Sequence, residues 1–474
     1  MFLKEMKRHF KFCIILLFPI FSNGQISTSY SLVNKSFSAF HSDLVYSDGP
    51  DTTKSLSACS RFFGVGSASN TDFASTYILG ATMSANLSDK ISFASHFDYL
   101  EGNHNSLVNE YRDSLSLFPV FGKEKSRIQY NFRYYVNKFI DIDFGKGNHF
   151  IGDGYRSMLL SIDHSPYSYL KLTTKFGRVR YYNLYTTFLD IQESDQYRKK
   201  HSSIHFLDFK LTKNISIGVF EAILWQAKDD NYNRGYDVEY LNPVIFFRPV
   251  EFSKNSPDNV LMGVNFNATF NPITFYSQVL LDDLNISRQK DRDDEYSGGF
   301  FQNKFAYQLG LKSFFQGINV LLEYNQSQPY TYAHKETMQS YTHMNQALAH
   351  PLGANFKEMV AIADYSIEKW KYSIKLTLAN LGLDSVDTHY GQNIFASDFD
   401  AQADGGEYSY GNFNGQGVPT QINSVHAEVS YSLKWFDVFG SVFYRKKKSE
   451  LIDQSSLFYS AGIRTFPFSV LTDF

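Results

Sequence analysis

Apolar and polar side chains alternate along many runs of about ten residues in this chain. In residues 260–270, valine, methionine and phenylalanine largely alternate with glycine, asparagine and threonine. Residues 372–378 and 425–433 repeat the pattern with other residue types. Because successive side chains of a β-strand point to opposite faces, the alternation predicts an all-β protein whose strands each have one apolar face.

The number and length of these runs favour a membrane barrel over a soluble sandwich. A tilted strand needs about 9–11 residues to cross a bilayer, whereas strands of soluble sheets average about 5–6. The 33 tyrosines and 45 phenylalanines suit aromatic girdles at two membrane interfaces. We therefore predict a closed antiparallel transmembrane β-barrel with apolar faces toward lipid and polar faces lining the lumen. Seventeen candidate strands begin near residues 73, 90, 127, 139, 169, 178, 203, 215, 259, 272, 304, 317, 356, 370, 421, 436 and 456.

The connections between these candidates alternate between short and long. Short turns are predicted near residues 88–90, 136–138, 176–177, 212–214, 271–272, 314–317, 368–370 and 434–436. Long connections are predicted over residues 100–126, 146–168, 190–202, 224–258, 283–303, 327–355, 382–420 and 446–455. Short periplasmic turns and long extracellular loops are the pattern of outer-membrane barrels.

The parity of the turns predicts one further strand before residue 73. Each short turn follows an odd-numbered candidate, so the first candidate would start outside the cell unless an upward strand precedes it. Residues 60–69 are that strand, which makes about eighteen strands, with sixteen as the alternative, because such barrels have an even number. The strands would cover residues 60–466, after a lead-in at 25–59, within one barrel domain over 25–474.

The first 24 residues have the composition of a secretory signal. Four basic residues precede a short apolar run, and Ser22 and Gly24 supply small side chains before a predicted cut at Gln25. Removal of four basic residues from 45 and one acidic residue from 48 leaves a net charge of −6. Nucleic-acid binders normally have a basic excess, so we predict no nucleic-acid partner. We expect an integral outer-membrane protein whose partners include the membrane lipid.

The chain has few signs of catalytic or metal chemistry. With Cys13 removed, Cys59 is alone, which excludes an internal disulfide and a four-cysteine zinc site. Neither a G-x-S-x-G elbow nor an H-E-x-x-H helix is present. The acidic stretch 398–407 misses the EF-hand spacing, and the histidines of residues 334–350 match no metal motif. We predict a protein that is not an enzyme, with no catalytic residue, metal site or cofactor.

Residues 145–157, GKGNHFIGDGYRS, have the glycine spacing of a phosphate-binding loop. Such a loop needs Lys-Ser or Lys-Thr after its second glycine, whereas Asp153 and Gly154 follow Gly152 here. A carboxylate would then occupy the phosphate position. Glycines in a long connection allow positive φ or close approach to another segment. We expect a loop that folds against the lumen.

Four stretches of the chain carry a family resemblance: residues 144–172, 234–259, 349–366 and 462–474. They resemble the capsule-assembly outer-membrane barrels of the Wzi type, most closely the RemB-type gliding-motility proteins of Bacteroidetes. The resemblance implies an eighteen-stranded barrel that attaches or organises surface polysaccharide. The gliding-associated branch implies support of surface motility.

Candidate glycan-binding residues lie in the 224–258 connection and in the glycine-rich stretch. Aromatic faces and planar hydrogen-bonding groups suit sugar rings, and the arginine fork suits acidic sugars. The candidates are Tyr155, Arg156, Tyr240, Asn242, Phe247, Arg248 and Glu251. The alternative is that Arg248 and Glu251 pair with each other or with lumen charges, and that the phenylalanines pack the loop.

Two other functions fit the same barrel. Eighteen strands enclose enough width for an aqueous pore, which would make the protein a porin-like channel. The other alternative is an accessory of protein secretion, adhesin display or motility, whose partners would be machinery proteins. Conductance would identify the first, and co-purifying partners would identify the second.

Overall fold

The computed structural model describes residues 40–42, 55–69, 73–107, 109, 126–191, 197–228, 233–243, 258–284, 299–385, 388–402 and 410–465. Eighteen antiparallel strands each pair with the next along the chain, and the first pairs with the last to close a barrel. This confirms the predicted fold. The strands are Ser55–Ala68, Phe73–Ser88, Ile91–Asn103, Ser126–Tyr135, Ile140–Gly147, Tyr167–Phe176, Val179–Ile191, Tyr197–Lys210, Ile215–Gln226, Asn259–Phe270, Ile273–Asp283, Lys304–Phe315, Ile318–Ser327, Phe356–Ile367, Trp370–Leu383, Val418–Ser432, Asp437–Lys448 and Asp453–Arg464.

The barrel closes between its first and last strands, where Phe63 lies opposite Arg464. The first strand confirms the additional strand predicted from turn parity, although it begins at Ser55, inside the predicted lead-in. Each of the other seventeen candidates coincides with an observed strand. The largest difference is at Tyr197, which is predicted near residue 203.

Exposure separates the two faces of strands such as Trp370–Leu383. On Trp370–Leu383, Ile374, Leu376 and Leu378 are exposed on the outside, whereas Thr377 is buried on the inside. Exposed aromatic side chains also ring the end of the barrel that carries the short turns. They include Phe176, Phe270, Phe315, Trp370 and Trp435. An apolar outer band, an aromatic girdle and a polar lumen are the features of a transmembrane barrel.

The predicted short turns all lie at one end of the barrel, which we call the short-turn end. At the opposite, long-loop end, the connections 69–72, 192–196 and 449–452 are also short. The predictions of long connections at 190–202 and 446–455 are therefore wrong. The flanking strands extend into these stretches with the charged runs 198–200 and 446–448, which give no apolar alternation.

The predicted signal at 1–24 lies outside the described residues, as does most of the lead-in. The described part of the lead-in, Phe40–Ser42, forms a short antiparallel pair with His149–Ile151. The lead-in therefore meets the 148–166 connection directly. Among the described residues, no helix is long and apolar enough to span a membrane.

The largest apolar core lies inside the barrel toward the long-loop end. The connections 148–166 and 328–355 supply Leu159, Leu160 and Tyr341 to it. Strand residues that point inward, including Leu280, Ala306 and Phe356, complete it. The Tyr332 hydroxyl donates a hydrogen bond of 2.8 Å to the Met158 carbonyl and joins the two connections. The lumen at this end is thus filled by the protein's own loops.

Candidate functional site

Residues 148–166, which we call the plug segment, enter the lumen and contact five or more strands. The backbone N–H groups of Tyr155 and Arg156 donate to the Glu323 carboxylate at 2.8 and 3.0 Å. The Met158 N–H donates to Gln278 Oε1 at 2.8 Å. Met158, Leu159 and Leu160 are fully buried. The expectation that the glycine-rich stretch folds against the lumen is confirmed.

Two glycines allow the plug segment to approach the wall this closely. Gly152 has a φ of 145°, and a Cβ there would lie 2.5 Å from Gln278 Nε2. A Cβ at Gly154 would lie 2.2 Å from Glu323 Oε2. Glycine is therefore required at both positions for a packing reason and not for phosphate binding.

Arg156 is the charged centre of the plug segment and is fully buried. Its Nη2 donates to Glu358 Oε1 at 3.2 Å. His350 Nε2 lies 2.7 Å from Glu358 Oε2, and Asn325 Nδ2 donates to Glu323 at 2.9 Å and to Glu358 at 3.0 Å. Both lumen carboxylates thus hold loop atoms. A ligand could contact the Arg156 guanidinium only if the plug segment moved.

Tyr155 lies between two cations beside this network. Its hydroxyl accepts a hydrogen bond of 2.9 Å from Lys375 Nζ. The Arg156 guanidinium lies 4.7 Å from the centre of the Tyr155 ring, and the Lys375 ammonium lies 5.2 Å from it. The contacts with Lys375 hold the plug segment toward the wall, whereas the Arg156 contact lies within the segment.

Buried lysines fasten the other long loops to the wall in the same way. Lys200 Nζ donates to Asp190 at 2.5 Å and to the Ser340 carbonyl at 2.8 Å. Lys304 Nζ donates to Asp398 at 3.0 Å and to the Ala333 carbonyl at 2.9 Å. A buried cation is tolerated only when it is paired and hydrogen-bonded, so each lysine ties its loop to one place.

Residues 233–243, which we call the outer clasp, lie against the outside of the barrel. Ser203 Oγ donates to the Tyr240 carbonyl at 2.7 Å, and Trp225 Nε1 donates to the Gly235 carbonyl at 3.0 Å. Ser203 is on the opposite face of its strand from Ile204, which packs in the lumen core. The outer clasp therefore covers a surface that elsewhere in the barrel faces lipid.

Tyr240 and Asn242 are parts of the outer clasp. Tyr240 is fully buried, its hydroxyl donates to Asp258 at 2.8 Å, and burial raises the pKa of its phenol. Arg234 pairs with Asp258 at 2.7 Å and lies 5.4 Å from the Tyr240 ring centre. Asn242 ends the short 3₁₀ helix Val238–Leu241.

The four predicted glycan-binding residues that the structure describes do not converge on one site. Tyr155 and Arg156 lie in the lumen, whereas Tyr240 and Asn242 lie on the outer wall. Phe247, Arg248 and Glu251 are outside the described residues. A glycan-binding role for all seven stays a prediction.

A further set of aromatic side chains gathers at the long-loop end. We call residues 299–303, 389–400 and 410–416 the aromatic cap. Phe300 lies 5.0 Å from Phe301 and 5.2 Å from Tyr410, and Phe301 lies 5.5 Å from Phe399, all between ring centres. Phe399 is 36% exposed and Phe413 is 63% exposed. Phe399 and Phe413 thus present exposed rings at the long-loop end.

Hydrogen bonds from two side chains hold the aromatic cap rigid. Asn355 Nδ2 donates to the Gly382 carbonyl at 2.8 Å and to the Gln416 carbonyl at 2.9 Å, and its Oδ1 accepts from the Gly415 N–H. Asp384 accepts from the Tyr390 and Asn393 N–H groups and from the His389 ring. Burial alone would raise the pKa of Asp384, but these hydrogen bonds lower it below its usual value. The carboxylate therefore stays charged and holds its loop.

The aromatic cap was not identified from the sequence, although a signal for it exists. Phe300, Phe399 and Phe413 lie in the predicted long connections 283–303 and 382–420. These aromatic side chains lie in long connections, outside the alternating strands that the pattern assigns to the membrane. The sequence does not show that distant connections bring these rings together. Among the described residues, no group of three or more His, Cys, Asp or Glu is placed to hold a metal ion.

No family model and no curated protein matches this chain. Solved structures share its fold. Wzi of Escherichia coli, an outer-membrane protein involved in group 1 capsule assembly and described as a carbohydrate-binding β-barrel, is 13% identical with a TM-score of 0.56, over 87% of this chain and 85% of Wzi. OprD of Pseudomonas aeruginosa is 10% identical with a TM-score of 0.48, over 90% and 97% of the two chains. The similarity to Wzi shows that the chain has the fold of an outer-membrane barrel.

Proposed function

We propose that this protein attaches or organises surface polysaccharide at the long-loop end of an outer-membrane barrel. The aromatic cap carries the proposal, because it combines exposed rings with a hydrogen-bonded and rigid loop framework. Binding residues commonly lie on loops that a rigid scaffold positions. Aromatic faces and planar amide groups suit the apolar faces and hydroxyls of sugars. The loops would then face the cell exterior.

The plug segment supports a surface role over a conducting one. It occupies the lumen between the strands that carry Gln278, Glu323 and Glu358. A barrel filled in this way presents its loops as the working surface. The similarity of the fold to Wzi, which is described as carbohydrate-binding, supports the same function. Polysaccharide attachment requires no catalytic residue, so we propose that the protein is not an enzyme.

The first test is binding of the organism's own extracted surface polysaccharide to the purified protein. We expect saturable binding that Phe399→Ala with Phe413→Ala weakens about tenfold or more, as for central aromatic contacts. Leu451→Ala is the matched control, because Leu451 is an exposed apolar residue at the long-loop end outside the aromatic cap. No binding by the folded wild-type protein would refute polysaccharide attachment.

The same assay examines the predicted residues of the 224–258 connection. Arg248→Ala with Glu251→Ala should weaken binding if that connection contributes to the glycan site. Unchanged binding in this variant, together with loss in the cap variant, would assign the glycan to the aromatic cap alone.

A porin-like channel is the second candidate, and the wall near the barrel closure favours it. Arg61 and Arg127, at 15% and 19% side-chain exposure, line the lumen around Asp98. A polar lined lumen is typical of water-filled barrels. Planar-bilayer recordings should show little conductance for the wild type and clear conductance after deletion of residues 152–158. Steady wild-type conductance would favour the channel.

A role in surface motility or in display of secreted proteins rests on the resemblance to RemB-type proteins of gliding Bacteroidetes. The blocks at residues 144–172, 234–259 and 349–366 support it. A deletion strain should then spread poorly. If its surface polysaccharide is unchanged and machinery proteins co-purify with the barrel, motility support would be the main function.

A further inference from the structure

A row of polar side chains crosses the outside of the barrel near the long-loop end. Strand register aligns its members, because each lies opposite the next on the neighbouring strand. The row, which we call the outer belt, consists of Tyr307, Gln326, Lys357, Asn380, Gln421 and Lys448. Six strands about 4.8 Å apart make the outer belt roughly 24 Å long.

The outer belt lies at the edge of the apolar outer band that is nearest the long-loop end. The next outward residues toward the short-turn end include Leu309, Met359 and Leu378, which are all exposed. On Asp437–Lys448, the outward positions change from Val442 and Tyr444 to Lys446 and Lys448. Because lipid chains contact the apolar residues, the outer belt lies at the level of the lipid headgroups.

The side chains of the outer belt can donate hydrogen bonds to anionic groups and to hydroxyl groups. Gln326 Oε1 accepts hydrogen bonds from the Tyr307 and Tyr324 hydroxyls at 2.9 and 2.8 Å, so its amide nitrogen remains a donor to other groups. Lys446 lies 3.7 Å from Asp453, in a pair that is largely exposed and therefore weak. Lysines near a membrane surface attract anionic lipid headgroups.

We infer that the outer belt binds the headgroup of a phosphate-bearing glycolipid in the leaflet at the long-loop end. The phosphates would contact Lys357 and Lys448 of the outer belt and also Lys446, which is the next outward residue after Lys448 toward the short-turn end. The sugar hydroxyls would contact the amides of Gln326, Asn380 and Gln421. The inference does not depend on the aromatic cap, because the belt faces lipid on the outside of the barrel.

The test compares two triple variants in vesicles of neutral phospholipid, with and without added lipid A. One variant replaces Lys357, Lys446 and Lys448 by Gln. The matched control replaces Lys213, Lys369 and Lys434, which lie in turns at the short-turn end, by Gln. We expect the wild type and the control to retain lipid A after detergent extraction, as counted by native mass spectrometry. The belt variant should bind it about tenfold more weakly or worse.

Two comparisons separate binding from folding. The triple Lys→Arg variant of the belt should keep lipid A, since it keeps the charges. If the Gln variant fails to fold, wild-type binding of lipid A and of dephosphorylated lipid A decides the matter, and we expect the second to be weaker. Equal loss in the belt and control variants, or equal binding of both lipids, would overturn the inference.

Discussion

The two sides of the barrel use inward polar residues differently. In the strands from Asn259 to Leu383, Glu323, Glu358 and Lys304 hold atoms of the plug segment and the long loops. Near the closure, Asp98 instead pairs with Arg61 and Arg127 along the wall. Connections 69–72 and 449–452 are short there. Both sides of the barrel thus place charged groups in the lumen, but the available loops decide which partners these groups find.

The largest difference in stability between the two sides should appear when Arg156 is removed from the plugged side. Arg156→Ala leaves Glu358 buried without its guanidinium, and loss of one partner of a buried pair costs about 3–5 kcal/mol. Thermal unfolding, followed by heat-modified gel mobility, would measure the loss. Arg156→Ala combined with Glu358→Gln should recover part of it. A loss below about 1 kcal/mol would contradict a fastening role for Arg156.

The second-largest effect should be a loss of stability of the plugged side at low pH. Burial lowers the pKa of His164, in the plug segment, to about 4 from 6.5. Between pH 6.5 and 4 the unfolded chain binds a proton that the folded state does not. The free energy of unfolding therefore decreases as the pH is lowered through this range, by up to about 3 kcal/mol. His164→Gln should flatten the dependence of unfolding free energy on pH in this range. Identical pH profiles for the wild type and His164→Gln would contradict a lowered pKa of His164 as the cause.

Removal of the Asn355 side chain, which holds the aromatic cap, should have a moderate effect on stability. Asn355→Gly keeps the positive φ of 56° but removes hydrogen bonds to Gly382, Gly415 and Gln416, which should cost about 2 kcal/mol. Polysaccharide binding should weaken with it if the aromatic cap must be rigid. Gln316→Gly, at a φ of 49° in a short turn, is the control and should change neither quantity. Unchanged unfolding of Asn355→Gly would show that the cap is held by other contacts.

The smallest effect should come from the closure side. Arg127→Ala leaves Asp98 paired with Arg61 at 2.9 Å, and the Arg127 side chain is partly exposed. We expect a change of about 1 kcal/mol or less in the unfolding free energy. A cost equal to that of Arg156→Ala would erase the difference between the two sides.

Most of the wall could be predicted from local pattern. Ile374, Leu376 and Leu378 are exposed as their alternation requires, because the period of a strand is a property of neighbouring residues. The pattern failed where strands carry charged ends, as at Tyr197–Lys210. A charged residue on such an end needs no apolar neighbour, so period two disappears although the strand continues.

The candidate site could be predicted only in part. The sequence indicated that the glycine-rich stretch enters the lumen, but not that Glu323 and Glu358 receive it. Alternation assigns an inward face to both glutamates and says nothing about what they meet across the lumen. Tyr240 shows the same limit, since its aromatic and polar neighbours suggested a ligand while the fold places it in the outer clasp.

The plug segment forms contacts of far longer chain separation than those between neighbouring wall strands. Wall strands pair with their neighbours along the chain, so each addition closes a modest loop. The bonds of the plug segment to Gln278, Glu323 and Glu358 instead span 120, 167 and 202 residues. Contacts of such separation form slowly because loop closure must come first. We therefore expect the plug segment to be secured later than the pairs of neighbouring strands around it.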